Sequence, residues 1–557
     1  MTHAEAATLY AKRVVAGEVP ACKWVRLACQ RQLDDLERWK DGGPYRFDTD
    51  AAERVCKFIE LLPHTKGEWA RRREKIRLEP WQQFILTTAF GWVRRDDGMR
   101  RYRTVYEEEP RKNAKSTKGA GVGLYMLAAD GEAGAEVYSA ATTRDQARIV
   151  FSDAQAMARK EAAFRQRFGV EVGAHAIWVH EESSKFIPLS ADAQTLDGLN
   201  VHCAIIDELH AHRTREVYDV IETATGARSQ SLVWNVTTAG SNRSGICYEI
   251  RTYATKVLEG IVEDETFFGI IYTIDDGDDW TTEEAWRKAN PNYGVSVKPD
   301  DMARLCVKAQ QMPSAQNNFL TKRLNVWVNA GAAWMDMRRW EAQADPVMRP
   351  EDFEGCRCWV GLDLAAKRDL TARVLLFEKD GHYYAFLRCW LPAETIQNSS
   401  NAQYSGWEKD KFIVETDGAT VDYEEIRRDL NEIYDQFKPR AIAFDPHDAT
   451  MLVGKLLEDG LPMVELRQNT VNLSEPMKEF EAQVYARRFH HDANPVFAWA
   501  VSNVVYRENA KGEVYPRKER EENKIDPVVA TIIAFNRAMA DRDDSASTYE
   551  SSDLLVL

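Results

Sequence analysis

The 557-residue sequence predicts an α/β protein of two domains. In the first half, apolar strands alternate with helical stretches, an order that yields a mostly parallel sheet with helices on both faces. Beyond residue 352 the pattern changes to three successive strands that read as an antiparallel meander, followed by further helices and an apolar strand. The chain is also too long for one hydrophobic core. The expected divisions are an N-terminal helical segment over 1–70, a first domain over 71–335 and a linker over 336–352, where Asp345-Pro346 and Arg349-Pro350 interrupt the chain. A second domain follows over 353–545, then an acidic flexible tail over 546–557.

Composition narrows the function classes. A hydrophobic content of 44% with 10% aromatic residues is that of a globular protein. No apolar run reaches the ~18 residues of a membrane-spanning helix, so no membrane role is expected. The N-terminus lacks the apolar core of a signal peptide. Nine cysteines are scattered, and Cys356-Arg-Cys358 is too tight and isolated for a zinc site or redox pair, so a reduced cytoplasm fits best. The formal charge of −15 argues against a generally basic nucleic-acid coat. It leaves room for a local basic groove from Arg71–Arg73 with Lys75 and Arg77, or from Arg517–Arg520.

Cys22–Trp39 and Asp50–Leu62 have helical spacing, with Asp50 as a possible cap. Arg103–Glu107 then suits a short strand and Gly119–Ala129 a buried helix, and between them runs Pro110-Arg-Lys-Asn-Ala-Lys-Ser-Thr-Lys118. A Lys-Ser-Thr between strand and helix is the core of a phosphate-binding loop. Arg111, Lys112, Asn113, Ala114 and Thr117 would shape it, Lys115 would reach the β- and γ-phosphates of ATP, and the Ser116 hydroxyl would hold Mg²⁺. The general pattern wants glycine at 109 and 114, where this chain has Glu109 and Ala114, so a solvated helix start is the competing reading. The next element favours the nucleotide. Val201–Leu209 is a hydrophobic strand ending in Asp207-Glu208; the first acid would hold Mg²⁺ through water and the second would polarise the attacking water. Gln82, in Leu78-Glu-Pro-Trp-Gln82, could read the adenine edge or simply start a helix beside Trp81.

Ala135–Ala141 reads as another strand, the helix after it starts at Thr142 and Thr143, and Trp178–Ser190 suggests a hairpin. Ser231–Gly240 is an apolar strand ending in Thr237-Thr238-Ala239-Gly240, which could sense the γ-phosphate and couple hydrolysis to motion, or could be an ordinary strand exit. Phe267–Ile274 resembles a strand and Thr281–Lys288 a helix start.

In the second domain the meander runs through Cys358–Asp363, Leu370–Phe377 and Tyr383–Trp390. Ala441–Asp445 is an apolar strand ending in an acid, and Lys524–Ala534 puts Asp526 at a helix start. Asp363, Asp445 and Asp526, with Asp448 in reserve, outline a two-metal phosphodiesterase, because Mg²⁺ or Mn²⁺ prefers oxygen ligands. Two ions about 3.5–4 Å apart would activate the water and stabilise the leaving oxygen. Singly each acid has a duller explanation, in a turn, before Pro446 or capping a helix.

These residues, in this order, resemble the large terminase subunit of tailed bacteriophages or prophages. The matching stretches are Leu78–Gln82, Pro110–Thr117, Asp197-Gly-Leu-Asn200, Ile206-Asp-Glu-Leu-His210, Thr237–Gly240, Gly361-Leu-Asp363, Ala443-Phe-Asp445 and Lys524-Ile-Asp-Pro527. The resemblance implies a motor that packages concatemeric double-stranded DNA into a prohead. Its N-terminal domain would be an additional-strand P-loop ATPase and its C-terminal domain a ribonuclease H-like nuclease. Lys115 would bind phosphate, Asp207 and Glu208 would serve Mg²⁺ and water, residues 237–240 would couple hydrolysis to movement, and Asp363, Asp445 and Asp526 would hold the nuclease metals. It also implies a portal protein, a small terminase subunit, a homo-oligomeric ring (commonly a pentamer) and work in the host cytoplasm rather than the mature virion. An arginine finger belongs to the family pattern, with Arg111 or Arg228 as candidates. A helicase-like or repair ATPase fused to a nuclease would share both chemistries, but no further helicase motifs are found between residues 240 and 340.

Overall fold

The alternation in the first half resolves into an eight-stranded sheet. The computed structural model describes residues 1–189, 198–212, 214–330, 334–364, 370–399, 401, 403–447, 450–509 and 511–550. Contacts divide the chain into two units, Met1–Gln310 with Asn318–Val328, and Gln311–Asn317 with Asn329–Leu557.

The strands of the first unit are β1 (Thr104–Glu108), β2 (Glu136–Ala140), β3 (Val170–Val172), β4 (Ile177–Val179), β5 (Ser184–Pro188), β6 (Val201–Asp207), β7 (Leu232–Thr237) and β8 (Phe267–Ile271). They lie in the order β8-β1-β7-β6-β2-β5-β4-β3. All neighbours from β8 to β5 are parallel, and the expected hairpin is the antiparallel pair β4–β5, extended by β3. Every residue of β6 and β7 is buried, which is why their sequences run apolar without alternation. The helix Lys115–Ala128 carries glycines at 119, 121 and 123, although glycine weakens a helix. Close packing explains all three: a Cβ at Gly123 would come within 2.7 Å of Phe186, one at Gly121 within 3.1 Å of Ile59 and one at Gly119 within 3.2 Å of Ile205. The N-terminal helices His3–Val15, Thr49–Leu61 and Pro80–Gly91 share one hydrophobic core with β1, β6 and β7.

In the second unit β9 (Arg357–Asp363), β10 (Thr371–Lys379) and β11 (His382–Pro392) form the expected antiparallel meander. β12 (Val414–Thr416), β13 (Ile442–Phe444), β14 (Met463–Glu465) and β15 (Phe489–His491) add to it in parallel, giving the order β12-β11-β10-β9-β13-β14 with β15 also on β11. The helix Asp526–Glu550 covers one face and Tyr423–Phe437 the other. A separate hairpin joins β16 (Val504–Glu508) to β17 (Val514–Lys518). The stretch expected as a linker holds a helix, Met337–Glu341, whose Trp340 is fully buried in this unit's core. The last helix runs on to Glu550, past the boundary expected at 545, and residues 551–557 lie outside the described ones.

None of the nine cysteines is paired; eight are buried and Cys356 is partly exposed. Among the described residues, no helix is long and apolar enough to cross a membrane.

Candidate ATPase and nuclease sites

Three parallel strands set the first site. β7 lies between β1 and β6, with Thr237 opposite Glu108 and Val236 opposite Asp207, so all three end at one edge of the sheet. Open parallel sheets hold ligands at this carboxyl edge. β1 delivers the loop over 109–114, in which Lys112 (φ +78°) and Ala114 (φ +70°) take left-handed backbone. Glycine adopts that conformation without strain; alanine loses about 1 kcal/mol there. Lys115 is buried at the helix start, its Nζ donating to the carbonyls of Glu109 (2.8 Å) and Pro110 (3.1 Å). Ser116 and Thr117 are half-buried in the same first turn. The buried Asn113 braces the loop: its Nδ2 donates to Pro110 O and Asn290 Oδ1, and its Oδ1 accepts from Asn292 N–H.

Beneath the loop three consecutive glutamates are fully buried. Glu108 accepts from Tyr106 Oη, Asn325 Nδ2 and Trp327 Nε1. Glu107 pairs with the buried Lys118 and accepts from Trp234 Nε1. Glu109 is left 3.6 Å from that same ammonium, with neither carboxylate oxygen hydrogen-bonded. Burial, aided by the Glu107 charge, pushes Glu109 up to about 8. One cation thus serves two carboxyls, and the second keeps its proton.

At the end of β6, burial and then the Glu208 charge push Asp207 up to about 7. Glu208 itself takes left-handed backbone (φ +52°), and its Oε2 meets His210 Nδ1 at 3.1 Å and Thr238 Oγ1 at 3.3 Å. Burial alone would raise this carboxyl, but His210, Lys115 and Lys322 outweigh it and hold Glu208 well below the usual carboxylate range. Lys322 Nζ lies 2.9 Å from His210 Nε2, 3.3 Å from Thr238 Oγ1 and 3.4 Å from Ala239 O. Burial lowers this lysine to about 8. Its backbone carbonyl accepts from Arg111 N–H at 2.9 Å, tying it to the phosphate loop. Thr237 Oγ1 accepts from His210 N–H, and Ala239 N–H donates to Asn325, whose side-chain amide also donates to Glu108 and Tyr272 O. A Cβ on Gly240 would meet His210 at 3.3 Å and Trp327 at 3.4 Å, so the coupling segment packs closely on the acid-bearing loop.

In the second unit, β9 and β13 are parallel neighbours with Leu362 opposite Phe444, so Asp363 and Asp445 leave adjacent strand ends side by side. Gln468 spans them: its Nε2 donates to Asp363 Oδ1 at 2.8 Å and its backbone N–H to Asp445 Oδ2 at 2.6 Å. Tyr515, on the hairpin, faces both acids; burial and their two charges raise its hydroxyl. The last helix runs antiparallel to β9. Trp359 Nε1 donates to Asp541 Oδ2 (2.9 Å), Gly361 packs on Ala530 and Ala534, and the N-terminal Asp526 therefore lies toward the level of Asp363. The charge of Asp526 acts on Cys389, which continues the cross-strand row Asp363, Ala372, Cys389. Among the described residues no three His, Cys, Asp or Glu side chains close into an ion cage, and Asp448 lies outside the described residues.

Residues 80–256 match the family described as terminase large subunit, ATPase domain, and residues 261–542 match terminase large subunit, endonuclease domain. The chain belongs to the terminase large-subunit family. It is 38% identical to protein YmfN of Escherichia coli K12 over 371 residues, covering 64% of this chain and 82% of that protein. It is 26% identical to the terminase large subunit of Enterobacteria phage HK97 over 511 residues, covering 89% and 97%. The crystal structure of the HK97 large terminase aligns over 87% of this chain and 99% of that one, with a TM-score of 0.44. The chain is accordingly a phage-type DNA-packaging ATPase and endonuclease, with a P-loop ATPase domain followed by a ribonuclease H-like nuclease domain.

Within this terminase two expected roles need correction. Arg228 does not reach the phosphate loop of its own chain: Nε donates to Asn200 Oδ1 (2.9 Å), Nη1 to Glu132 Oε1 (2.9 Å) and Ala133 O (3.0 Å), and Nη2 to Gly134 O (2.6 Å). It stands just before β7, at the amino edge of the sheet, opposite the phosphate loop, and its fork straps two loops together. Gln82 is buried and its Oε1 accepts from Glu79 N–H at 3.0 Å in a capping box, so its carbonyl starts the helix rather than reading a base. Arg111, by contrast, is an exposed loop residue. Sequence reasoning missed His210, Lys322 and Asn325 as site residues. His210 was signalled by its place after Asp207-Glu208; Lys322 had no signal, because only the fold brings that helix end to the acids.

Proposed function

We propose that Lys115, Ser116 and Thr117, with the backbone of residues 111–114, bind the phosphates of ATP, and that Asp207 and Ser116 serve its Mg²⁺. The buried Asp207 and the partly exposed Glu208 beside it both face Lys115 and fit a cation, since burial otherwise pushes Asp207 toward its neutral form. Glu208 holds the attacking water, Arg111 answers the transferred phosphoryl charge, and Thr237–Gly240 pass the change on to the neighbouring strand. In the nuclease, Asp363, Asp445 and Asp526 hold the metals; the donor set is oxygen only, which suits Mg²⁺ or Mn²⁺. Bound ions would supply an activated water and stabilise the leaving oxygen. Gln468 keeps the first two acids in register. The ATPase domain is taken as 71–335 and the nuclease as 353–545. The protein would act as a ring, commonly a pentamer, with the portal and a small terminase subunit, in the host cytoplasm.

The observation that carries this reading is the convergence of loop, acid pair and Thr237-Thr238 at one sheet edge, with Asp363 and Asp445 side by side in a separate unit. Plasmid cleavage by the purified chain with Mn²⁺, Mg²⁺ or EDTA tests it. Cleavage that needs metal, disappears in Asp363→Ala and survives Lys115→Ala supports two engines. Cleavage that survives Asp363→Ala overturns the nuclease assignment.

A further inference from the structure

We propose that Lys322 and His210 are positioning residues for Glu208, and that Lys322 is the side chain that responds to the γ-phosphate of bound ATP. An ammonium group only donates hydrogen bonds, so His210 Nε2, 2.9 Å away, must accept. That fixes the imidazole proton on Nδ1, which faces Glu208 Oε2 at 3.1 Å. Ammonium, imidazole and carboxylate thus form one line, and Thr238 Oγ1 touches all three, at 3.3 Å from each. The line sets the side chain of a residue whose backbone already sits in a tight left-handed turn. His210 is itself anchored, its N–H bound to Thr237 Oγ1 on β7.

Lys322 touches both halves of the site. Its carbonyl holds Arg111 N–H in the loop while its ammonium reaches the acid side. Apart from the imidazole, its partners are a hydroxyl and a carbonyl, Thr238 Oγ1 and Ala239 O, all neutral. A phosphate oxygen is the stronger acceptor for an ammonium. A γ-phosphate bound between Lys115 and Glu208 therefore draws Lys322 from His210, and Glu208 is released to turn toward water. ADP offers no such oxygen.

The inference rests on Glu208 as the residue that holds the attacking water, and one experiment separates the two. Full-length wild type, Lys322→Met, Lys322→Arg, His210→Gln and Glu208→Gln are compared in single-turnover ATP hydrolysis and in binding of ADP and ATPγS. Lys322→Met is expected to slow hydrolysis about ten- to a hundredfold. Its ADP affinity should stay within about threefold while its ATPγS affinity falls towards that of ADP. Lys322→Arg should recover part of the rate, and His210→Gln should lose rate with both affinities kept. Hydrolysis by Lys322→Met within about twofold of wild type, or equal loss of ADP and ATPγS affinity, overturns the inference. Normal hydrolysis by Glu208→Gln instead overturns the role given to Glu208.

Discussion

Gly361 lies so close to Ala530 that an added Cβ would come within 1.9 Å of the Ala530 carbonyl oxygen. Both contact atoms belong to regular elements, β9 and the last helix, so neither can yield cheaply. Gly361→Ala is expected to destabilise the nuclease unit by about 3 kcal/mol. At temperatures where it remains folded, the helix is pushed off the strand and Asp526 moves away from Asp363. Thermal unfolding should show a lowered nuclease transition, and metal-dependent cleavage should fall while nucleotide binding is kept. Unchanged cleavage would mean that Asp526 is not needed at that position.

Glu109 gives a pH-dependent stability with a defined sign. Its folded value, about 8, lies above the ordinary 4.5, so the folded state binds the extra proton. The favourable contribution is complete below pH 4.5 and is lost as pH rises through about 8. Glu109→Gln removes the ionisation and keeps the shape. It should match wild type near pH 4, where the carboxyl is neutral in both states, and pull ahead by about 1.4 kcal/mol for each pH unit between 4.5 and 8, so that it is several kcal/mol more stable at pH 9, as read by denaturant midpoints. Equal midpoints at both pH values would refute the buried neutral carboxyl.

Ala114 is held at φ +70°, where a methyl group is strained. Ala114→Gly removes about 1–2 kcal/mol of strain but loosens the unfolded chain, for a net gain of about 0.5–1 kcal/mol. It also restores the glycine of the general phosphate-loop pattern, and ATP affinity should hold or rise. A loss of stability would show that the loop does not take this conformation in solution.

Arg228→Ala separates strap from finger. Removing the guanidinium leaves Glu132, Asn200 and two backbone carbonyls without their donor, at a cost of about 2 kcal/mol. Single-turnover hydrolysis by the folded fraction should remain within about twofold of wild type. A rate loss beyond that, with the melting temperature unchanged, would reinstate a catalytic part.

Much of this arrangement could be read from the sequence, and the reasons differ by element. β6 and β7 were legible because fully buried strands run apolar nearly from end to end, and the meander because its strands are buried over most of their length. The carboxyl-edge acids were legible because a charge following such a run stands out. Arg228 was misread although its place ahead of β7 already puts it at the amino edge of a parallel sheet, away from the phosphate loop that follows β1. The site at Lys322 was illegible: it joins residues 208, 210, 238 and 322 through tertiary contacts alone. Gln468 was hidden for the same reason, since its two partners sit on strands far away in the chain.

The distribution of thiols gives this terminase a practical property. Eight cysteines are buried, and burial raises those at 22, 29, 56, 203, 247, 358 and 389 away from the reactive thiolate form. Cys356, beside β9, is alone in being partly open to solvent. A maleimide dye should therefore attach at one place in the native chain, one residue before the strand that carries Asp363. The unmodified protein thus offers its own reporter position for watching the nuclease half by fluorescence, with no cysteine to remove first.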